Sequence, residues 1–341
     1  MTGEKVLVTG ASGFIAAHII KQLVELGYQV VGTVRSDAKG EFYTKQYGSQ
    51  FVYEIVKDIS VLNAFDHVFQ AHPDIAYVLH TASPFTFKVE DPERDLIVPA
   101  INGTVSVLHG AKKFGSSVKK VVITSSFAAM SQTPQRLDDP TKTYSAADWN
   151  PVTLEEGKSN AQLGYLASKT FAERAAWDFL AKEKPNFTIT TIQVPMVFGP
   201  PINDIGISNL NTSTEILYKL IRSDRAKSDK LPFVLPVYID VRDAARAHVR
   251  VLATSGLDNK RSFNLAGPAN GQRLVDVIRQ VRPEYDATLP YGTPGSFSVD
   301  NFAKFDIAES QKYLKIDYLP LEATVADTID RIKELEMLAK I

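Results

Sequence analysis

Eleven residues near the amino terminus, Val6-Leu7-Val8-Thr9-Gly10-Ala11-Ser12-Gly13-Phe14-Ile15-Ala16, restrict the fold more than any other stretch of the chain. A short apolar, partly β-branched run breaks at a glycine and passes at once into a helical pattern from Gly13 to Leu26. Strand, tight turn and helix therefore follow one another with no spare residue. Gly10 suits the turn, Gly13 lets the backbone come close to an anion, and the small Ala16 lets helix and strand pack closely. A helix that starts here aims free N–H groups and its positive dipole end at whatever fills the turn. The residues Gly10, Ala11, Ser12, Gly13, Phe14 and Ile15 are thus candidates for holding a dinucleotide's phosphates. The spacing is G-x-x-G-x-x-A, and a strand-turn-helix that binds nothing would have the same pattern.

The rest of the chain extends this unit. Strand-like runs at Lys5 to Thr9, Gln29 to Val34, Gln50 to Val56, Ile75 to His80, Lys119 to Thr124 and Thr188 to Val194 alternate with helical patterns near Gly13 to Leu26, Leu62 to Gln70, Leu96 to Phe114 and Gln162 to Lys182. Such alternation predicts an α/β fold, a Rossmann-type doubly wound parallel sheet. After Pro195 the pattern changes to Gly199-Pro200-Pro201, a polar stretch over 202–214 read as loop, and a helix over 215–222. Val237-Tyr238-Ile239-Asp240 and Ser262-Phe263-Asn264-Leu265-Ala266 read as strands returning to the first domain. We therefore expect residues 1–195, with 237–266 returning, to form the nucleotide-binding domain. Residues 196–236 and 267–341, with a last helix from about Val325, would form a smaller C-terminal substrate lobe, and a cleft between the two would take the substrate.

Composition narrows the class of partner. The 38 Lys and Arg nearly balance the 39 Asp and Glu, and no basic tract interleaved with aromatics suggests nucleic acid. There are no cysteines, which excludes disulfides, thiolate nucleophiles and sulfur-bound zinc. The six histidines, 18, 67, 72, 80, 109 and 248, lack ligand spacing with nearby carboxylates, so no metal is expected. Apolar runs fall short of the roughly 20 residues that a membrane helix needs, and the first strand starts at Lys5. A cytoplasmic protein without a leader follows, with the sequons at Asn102, Asn186 and Asn211 as chance matches. A monomer is the preferred state.

Within the helical stretch 162–182, Tyr165 and Lys169 are four residues apart and share a face. An ammonium beside a phenol favours phenolate, which brings proton exchange closer to neutral pH. Thr124-Ser125-Ser126 ends a buried strand at the carboxyl edge of the sheet, where a hydroxyl can steady charge on a carbonyl oxygen. Arg35 ends the second strand, at the position where a carboxylate would take a ribose 2′-hydroxyl. A guanidinium pairs bidentately with a 2′-phosphate instead, which favours NADPH. Lys39 adds charge one turn on or is simply solvated, and Asp37 points the other way, toward a ribose hydroxyl and NADH. Phe85, Phe127, Met130 and Phe198 flank the candidate residues and suggest an apolar pocket or core packing.

Taken together, Gly10 to Ala16, Ser126, Tyr165-x-x-x-Lys169 and Pro195-Met196-Val197-Phe198-Gly199-Pro200 resemble the extended short-chain dehydrogenase/reductase family. The likeness is strongest to fungal NADPH-dependent methylglyoxal, ketone and aldehyde reductases, which are similar to plant dihydroflavonol and cinnamoyl-CoA reductases. Asp58-Ile59-Ser60, His80 to Phe85, Asn211-Thr212-Ser213 and Tyr238 to Asp243 support it. The resemblance implies an NADPH-dependent carbonyl reductase acting on an aldehyde or ketone. Tyr165 would be the general acid, Lys169 would lower its pKa and hold the nicotinamide ribose, and Ser126 would polarise the carbonyl, with Ser125 in reserve because sequence does not fix the register of this strand end. Val197 would contact the carboxamide of the nicotinamide, and Asp58 and Ile59 would lie beside the adenine; Ser213 matches a cofactor contact of the family, although a simple turn serine would look the same. A nucleotide-sugar epimerase or dehydratase on the same fold is one alternative, although Ser126 is followed by Phe127-Ala128-Ala129-Met130 without acidic residues. A non-catalytic dinucleotide-binding protein is another, and the retained Tyr165 and Lys169 speak against it.

Overall fold

A computed structural model of the chain describes residues 3–83, 89–131, 137, 139–225 and 228–339. Buried apolar runs form the strands. The first half runs β1 (Lys5–Thr9), α1 (Phe14–Glu25), β2 (Gln29–Val34), α2 (Asp37–Tyr47), β3 (Phe51–Ile55), α3 (Asp66–Ala71), β4 (Ile75–His80), α4 (Val98–Phe114) and β5 (Lys120–Ser126). It continues through the two-residue β6 (Thr143–Tyr144), the short α5 (Leu154–Gly157), the long α6 (Ala161–Glu183) and β7 (Thr188–Val194). Then come β8 (Met196–Phe198), α7 (Thr212–Ile221), β9 (Val237–Asp240), α8 (Val241–Val251), β10 (Lys260–Phe263) and β11 (Gly267–Pro268). The chain closes with α9 (Gly271–Val281), β12 (Lys304–Phe305), α10 (Ala308–Leu314) and α11 (Leu321–Leu338).

The main sheet has seven strands in the order β10-β7-β5-β4-β1-β2-β3, and every neighbouring pair is parallel. The chain leaves β1 in one direction to β2 and β3, then crosses back to β4 on the other side. This reversal of direction between β1 and β4 marks the switch point of the sheet, and such sheets bind ligands at the carboxyl ends of the strands there. Val6, Leu7 and Val8 of β1 are fully buried, as are Val78 and Leu79 of β4 and Val122 of β5. Side chains buried on both faces are what helices on both sides of a parallel sheet produce.

Three local expectations change. Asp37–Tyr47 is a helix that the hydrophobic pattern did not predict, because it buries only Gly40 and Tyr43. A Cβ on Gly40 would stand 2.3 Å from the Tyr53 ring, so the helix lies flat on β3 where no side chain would fit. Helix α7 starts at Thr212 and takes in Ser213, whereas the polar pattern over 202–214 predicts a loop there. Val237–Asp240 joins β8 and β11 in a separate three-stranded sheet, whereas Lys260–Phe263 does pair with β7 in the main sheet. Phe198, Leu217, Leu274, Val325 and Ile329 form a second apolar core under that small sheet. Among the described residues no helix is long and apolar enough to cross a membrane.

Candidate active site

Gly10 has φ of +66°, and a Cβ there would lie 3.0 Å from the Ala82 backbone. The β1 loop and the β4 loop are therefore in contact, and only glycine lets the chain turn between them. A Cβ on Gly13 would stand 3.1 Å from the Gly10 carbonyl. Thr9 stitches the crevice floor together: its Oγ1 accepts from the backbone N–H groups of Thr81 (3.1 Å) and Ala82 (3.2 Å), and lies 2.8 Å from His80 Nδ1. Gly10 N donates to Thr33 Oγ1 at 3.1 Å, and Ala11 N to the Thr33 carbonyl at 2.9 Å. Among the described residues no side chain caps the amino end of α1, and the N–H groups of its first turn have no intrahelical acceptor. A tight glycine cradle with free N–H groups fits a pyrophosphate.

At the ends of β5 and α6 the structure brings the expected residues together. Ser126 Oγ is 3.5 Å from the Tyr165 hydroxyl and accepts from Ala128 N at 3.1 Å. One turn along α6, the Lys169 ammonium stands 5.7 Å from the centre of the Tyr165 ring and donates to Ser83 Oγ at 2.9 Å. Burial pushes the Tyr165 phenol up, against the opposing hydrogen bond from Ser126. Burial also lowers Lys169 to about 8. The phenol thus does not move toward neutral pH, because desolvation disfavours the charged form of both groups.

Ser125 and Ser126 part company. Strand alternation turns Ser125 to the opposite side, where its hydroxyl donates to Glu173 Oε2 at 2.5 Å. Glu173 is nearly inaccessible, at 2%. Its carboxylate also accepts from Thr191 Oγ1 (2.8 Å), Gln193 Nε2 (2.7 Å) and Arg261 Nε (2.7 Å), and Arg261 lies 3.9 Å from the centre of the Trp149 ring. Sequence reading missed Glu173. The signal was present, since Tyr165, Lys169 and Glu173 repeat at four-residue steps along one face of α6. Thr124 is occupied too: His248 Nδ1 donates to the Ala244 carbonyl at 2.7 Å, so Nε2 is left to accept from Thr124 Oγ1 at 2.8 Å.

Around the rest of the crevice, Ser213 Oγ donates to the Val197 carbonyl at 2.5 Å, which fastens α7 to β8. Ile59 packs over Gly103 of α4, where a Cβ would come within 3.0 Å. Exposed Asp58 accepts from Ser60 N at 2.8 Å, and hydrogen bonding from the Ser60 side chain and backbone, with a smaller contribution from the charge of Arg35, keeps its carboxyl low. Lys39 Nζ donates to the carbonyl of Asp204 (2.7 Å) and to its carboxylate (3.0 Å), and Asp37 accepts from the Tyr53 hydroxyl at 3.2 Å. Of the two readings left open for the flanking apolar residues, core packing describes three of the four. Phe127 and Met130 are buried in a core cluster with Tyr144 and Phe263, and Phe198 is fully buried under the small sheet. Phe85 lies outside the described residues.

Residues 6–266, which span this whole arrangement, match the NAD dependent epimerase/dehydratase family. The chain belongs to that family. Within it, this epimerase/dehydratase-family protein is 39% identical to the NADPH-dependent methylglyoxal reductase of Saccharomyces cerevisiae, over 97% of this chain and 98% of that one. It is 36% identical to a ketoreductase of Aspergillus niger, over 97% of this chain and 98% of the other. Its structure superposes on that of the yeast methylglyoxal/isovaleraldehyde reductase complexed with NADPH with a TM-score of 0.93, at 38% identity, covering 98% and 99% of the two chains.

Proposed function

We propose that the protein is an NADPH-dependent carbonyl reductase that converts a small aldehyde or ketone, such as methylglyoxal, a diketone or an aryl ketone, into the alcohol. The observation that carries this reading is the Tyr165 hydroxyl 3.5 Å from Ser126 Oγ with Lys169 one turn away, at the switch point of a dinucleotide-type sheet. Full-length similarity to NADPH-dependent reductases supports it.

In this reading Gly10 through Ile15 hold the pyrophosphate, Asp58 and Ile59 flank the adenine, and Arg35 with Lys39 meets the 2′-phosphate. Val197, positioned by Ser213, lines the nicotinamide side with Tyr165 and Lys169. Bound NADPH supplies the hydride to the carbonyl carbon. Ser126 Oγ and the Tyr165 hydroxyl together hold the carbonyl oxygen, and the phenol O–H passes its proton to that oxygen as negative charge develops there. A phenol held up by burial is protonated at neutral pH, the state a proton donor needs. Lys169 then offsets the phenolate charge until the hydroxyl is reprotonated. We place the protein in the cytoplasm, as a monomer with its substrate between the nucleotide-binding domain and the C-terminal lobe.

Consumption of NADPH and, in parallel, NADH over methylglyoxal, aliphatic aldehydes, diketones and aryl ketones tests the reading. Fast turnover with NADPH on at least one carbonyl class is expected. No turnover with either cofactor on any of them would overturn it.

A further inference from the structure

The loop after β8 runs back across the cofactor crevice as a strap. His18 Nε2 of α1 donates to the Pro200 carbonyl at 2.9 Å, and Arg331 Nε of α11 to the Pro201 carbonyl at 2.9 Å. Asn203 Nδ2 donates to the Ser12 carbonyl of the glycine loop at 3.2 Å. The strap's far end is Asp204, whose carbonyl and carboxylate both take hydrogen bonds from Lys39. One stretch thus runs from β8, beside Val197, over the glycine loop to the amino end of α2. Asn203 is only 8% exposed, and its Oδ1 has no partner among the described residues. The strap is therefore packed on the crevice with one polar atom left unsatisfied.

Charge at the α2 end adds to this geometry. Two cations, Arg35 and Lys39, face three carboxylates: Asp58 is close enough to Arg35 to feel its charge, Asp204 pairs with Lys39, and Asp37 sits on the first turn of α2. A 2′-phosphate brings close to two more negative charges into this group. Both Lys39 and Asp204 are about half exposed, at 41% and 46% of their side-chain surface, so the pair opens at small cost. Two of the three Lys39 donors are engaged by Asp204, and a carboxylate within hydrogen-bond reach of the ammonium repels any phosphate that shares it.

We infer that Asp204 is a specificity-determining residue: it competes with the 2′-phosphate of the cofactor for Lys39, and so moderates the preference of this crevice for NADPH over NADH. The inference rests on the assignment of Arg35 and Lys39 to the 2′-phosphate. Asp204 acts on the phosphorylated cofactor alone, since NADH brings nothing for Lys39 to leave Asp204 for.

The test is direct cofactor binding by fluorescence titration, without substrate or turnover. Asp204→Asn keeps the shape of the side chain and the backbone acceptor and removes the charge. NADPH should bind about threefold more tightly to it than to the wild type, with the NADH affinity unchanged. The gain should shrink as salt rises and vanish in the Lys39→Ala background. Adenosine 2′,5′-bisphosphate should follow NADPH, and adenosine 5′-monophosphate should follow NADH. Weaker NADPH binding by Asp204→Asn would overturn the inference, because Asp204 would then hold Lys39 in place for the phosphate. Equal shifts for both cofactors would also overturn it, reducing Asp204 to packing of the strap, as would a gain that persists without Lys39. A wild-type protein that binds NADPH no better than NADH strikes the 2′-phosphate assignment itself.

Discussion

The two ends of the cofactor crevice are built from opposite materials. At the catalytic end, Ser126, Tyr165 and Lys169 rest on a buried polar network in which Glu173 accepts hydrogen bonds from Ser125, Thr191, Gln193 and Arg261. At the adenosine end, Arg35, Lys39, Asp37, Asp58 and Asp204 are exposed or partly exposed, and their charges meet in water. A low dielectric multiplies each interaction at the first end, whereas solvent and salt divide each one at the second. On the proposed reading, chemistry depends on a few interactions of large individual effect, and cofactor choice on several small ones.

The largest effect is expected at the buried end. Tyr165→Phe removes the hydroxyl proposed as the proton donor and leaves the ring in place. Turnover should fall about 10²- to 10⁴-fold while NADPH affinity, measured by fluorescence titration, changes little. Wild-type turnover in this variant would break the comparison at its strongest point.

Glu173→Ala probes the support beneath. It leaves the Arg261 guanidinium, 9% exposed, with no counter-charge, and stability should drop by roughly 3–5 kcal/mol in urea unfolding. A loss below ~1 kcal/mol would mean that the buried end is no more tightly coupled than the exposed one.

How much of this was readable from the sequence follows the same division. The strand bounds of β1, β2, β4 and β7 were legible to the residue, because buried β-branched runs between turns have little freedom. Tyr165 and Lys169 were legible because a four-residue spacing fixes a shared helical face. Glu173 lay on that face and was missed, since what identifies it is its partners on β5, β7 and β10. Helix α2 was missed because Gly40, a poor helix former, is there to admit the Tyr53 ring. Asp204 sits 165 residues from Lys39, and no local pattern joins them. Phe127, Met130 and Phe198 are close in sequence to Ser126 and Val197 but turn to the core, a choice that only tertiary packing makes.

Lys169 sets the active centre against stability. Its amine titrates near 8 in the folded ligand-free protein, against 10.5 when unburied, so the unfolded chain holds more protons between these values. Stability from this group is present above pH 10.5 and is lost as pH falls through 8. Lys169→Met should therefore be more stable than the wild type at pH 7, by at most roughly 3 kcal/mol, with the gap closing as pH climbs from 8 to 10.5. Thermal unfolding of the two proteins over this range, without cofactor, checks it. A variant less stable at pH 7 would show that the Ser83 hydrogen bond outweighs the burial of the charge.

Arg35→Ala measures the exposed end. A guanidinium that pairs with a 2′-phosphate contributes through charge-assisted, bidentate hydrogen bonds, each pair stronger than a neutral contact but open here to solvent. NADPH affinity should fall about tenfold and NADH affinity should hardly change, because Asp37 and Asp58 remain available to the ribose side. Raising salt should weaken NADPH binding to the wild type more than to the variant, while the buried end, read through the turnover of saturated enzyme, should respond little. Equal losses for NADPH and NADH would remove Arg35 from the 2′-phosphate. An NADPH loss as large as the turnover loss of Tyr165→Phe would instead show that the adenosine end is screened far less than its exposure implies, and the two ends would no longer differ in kind.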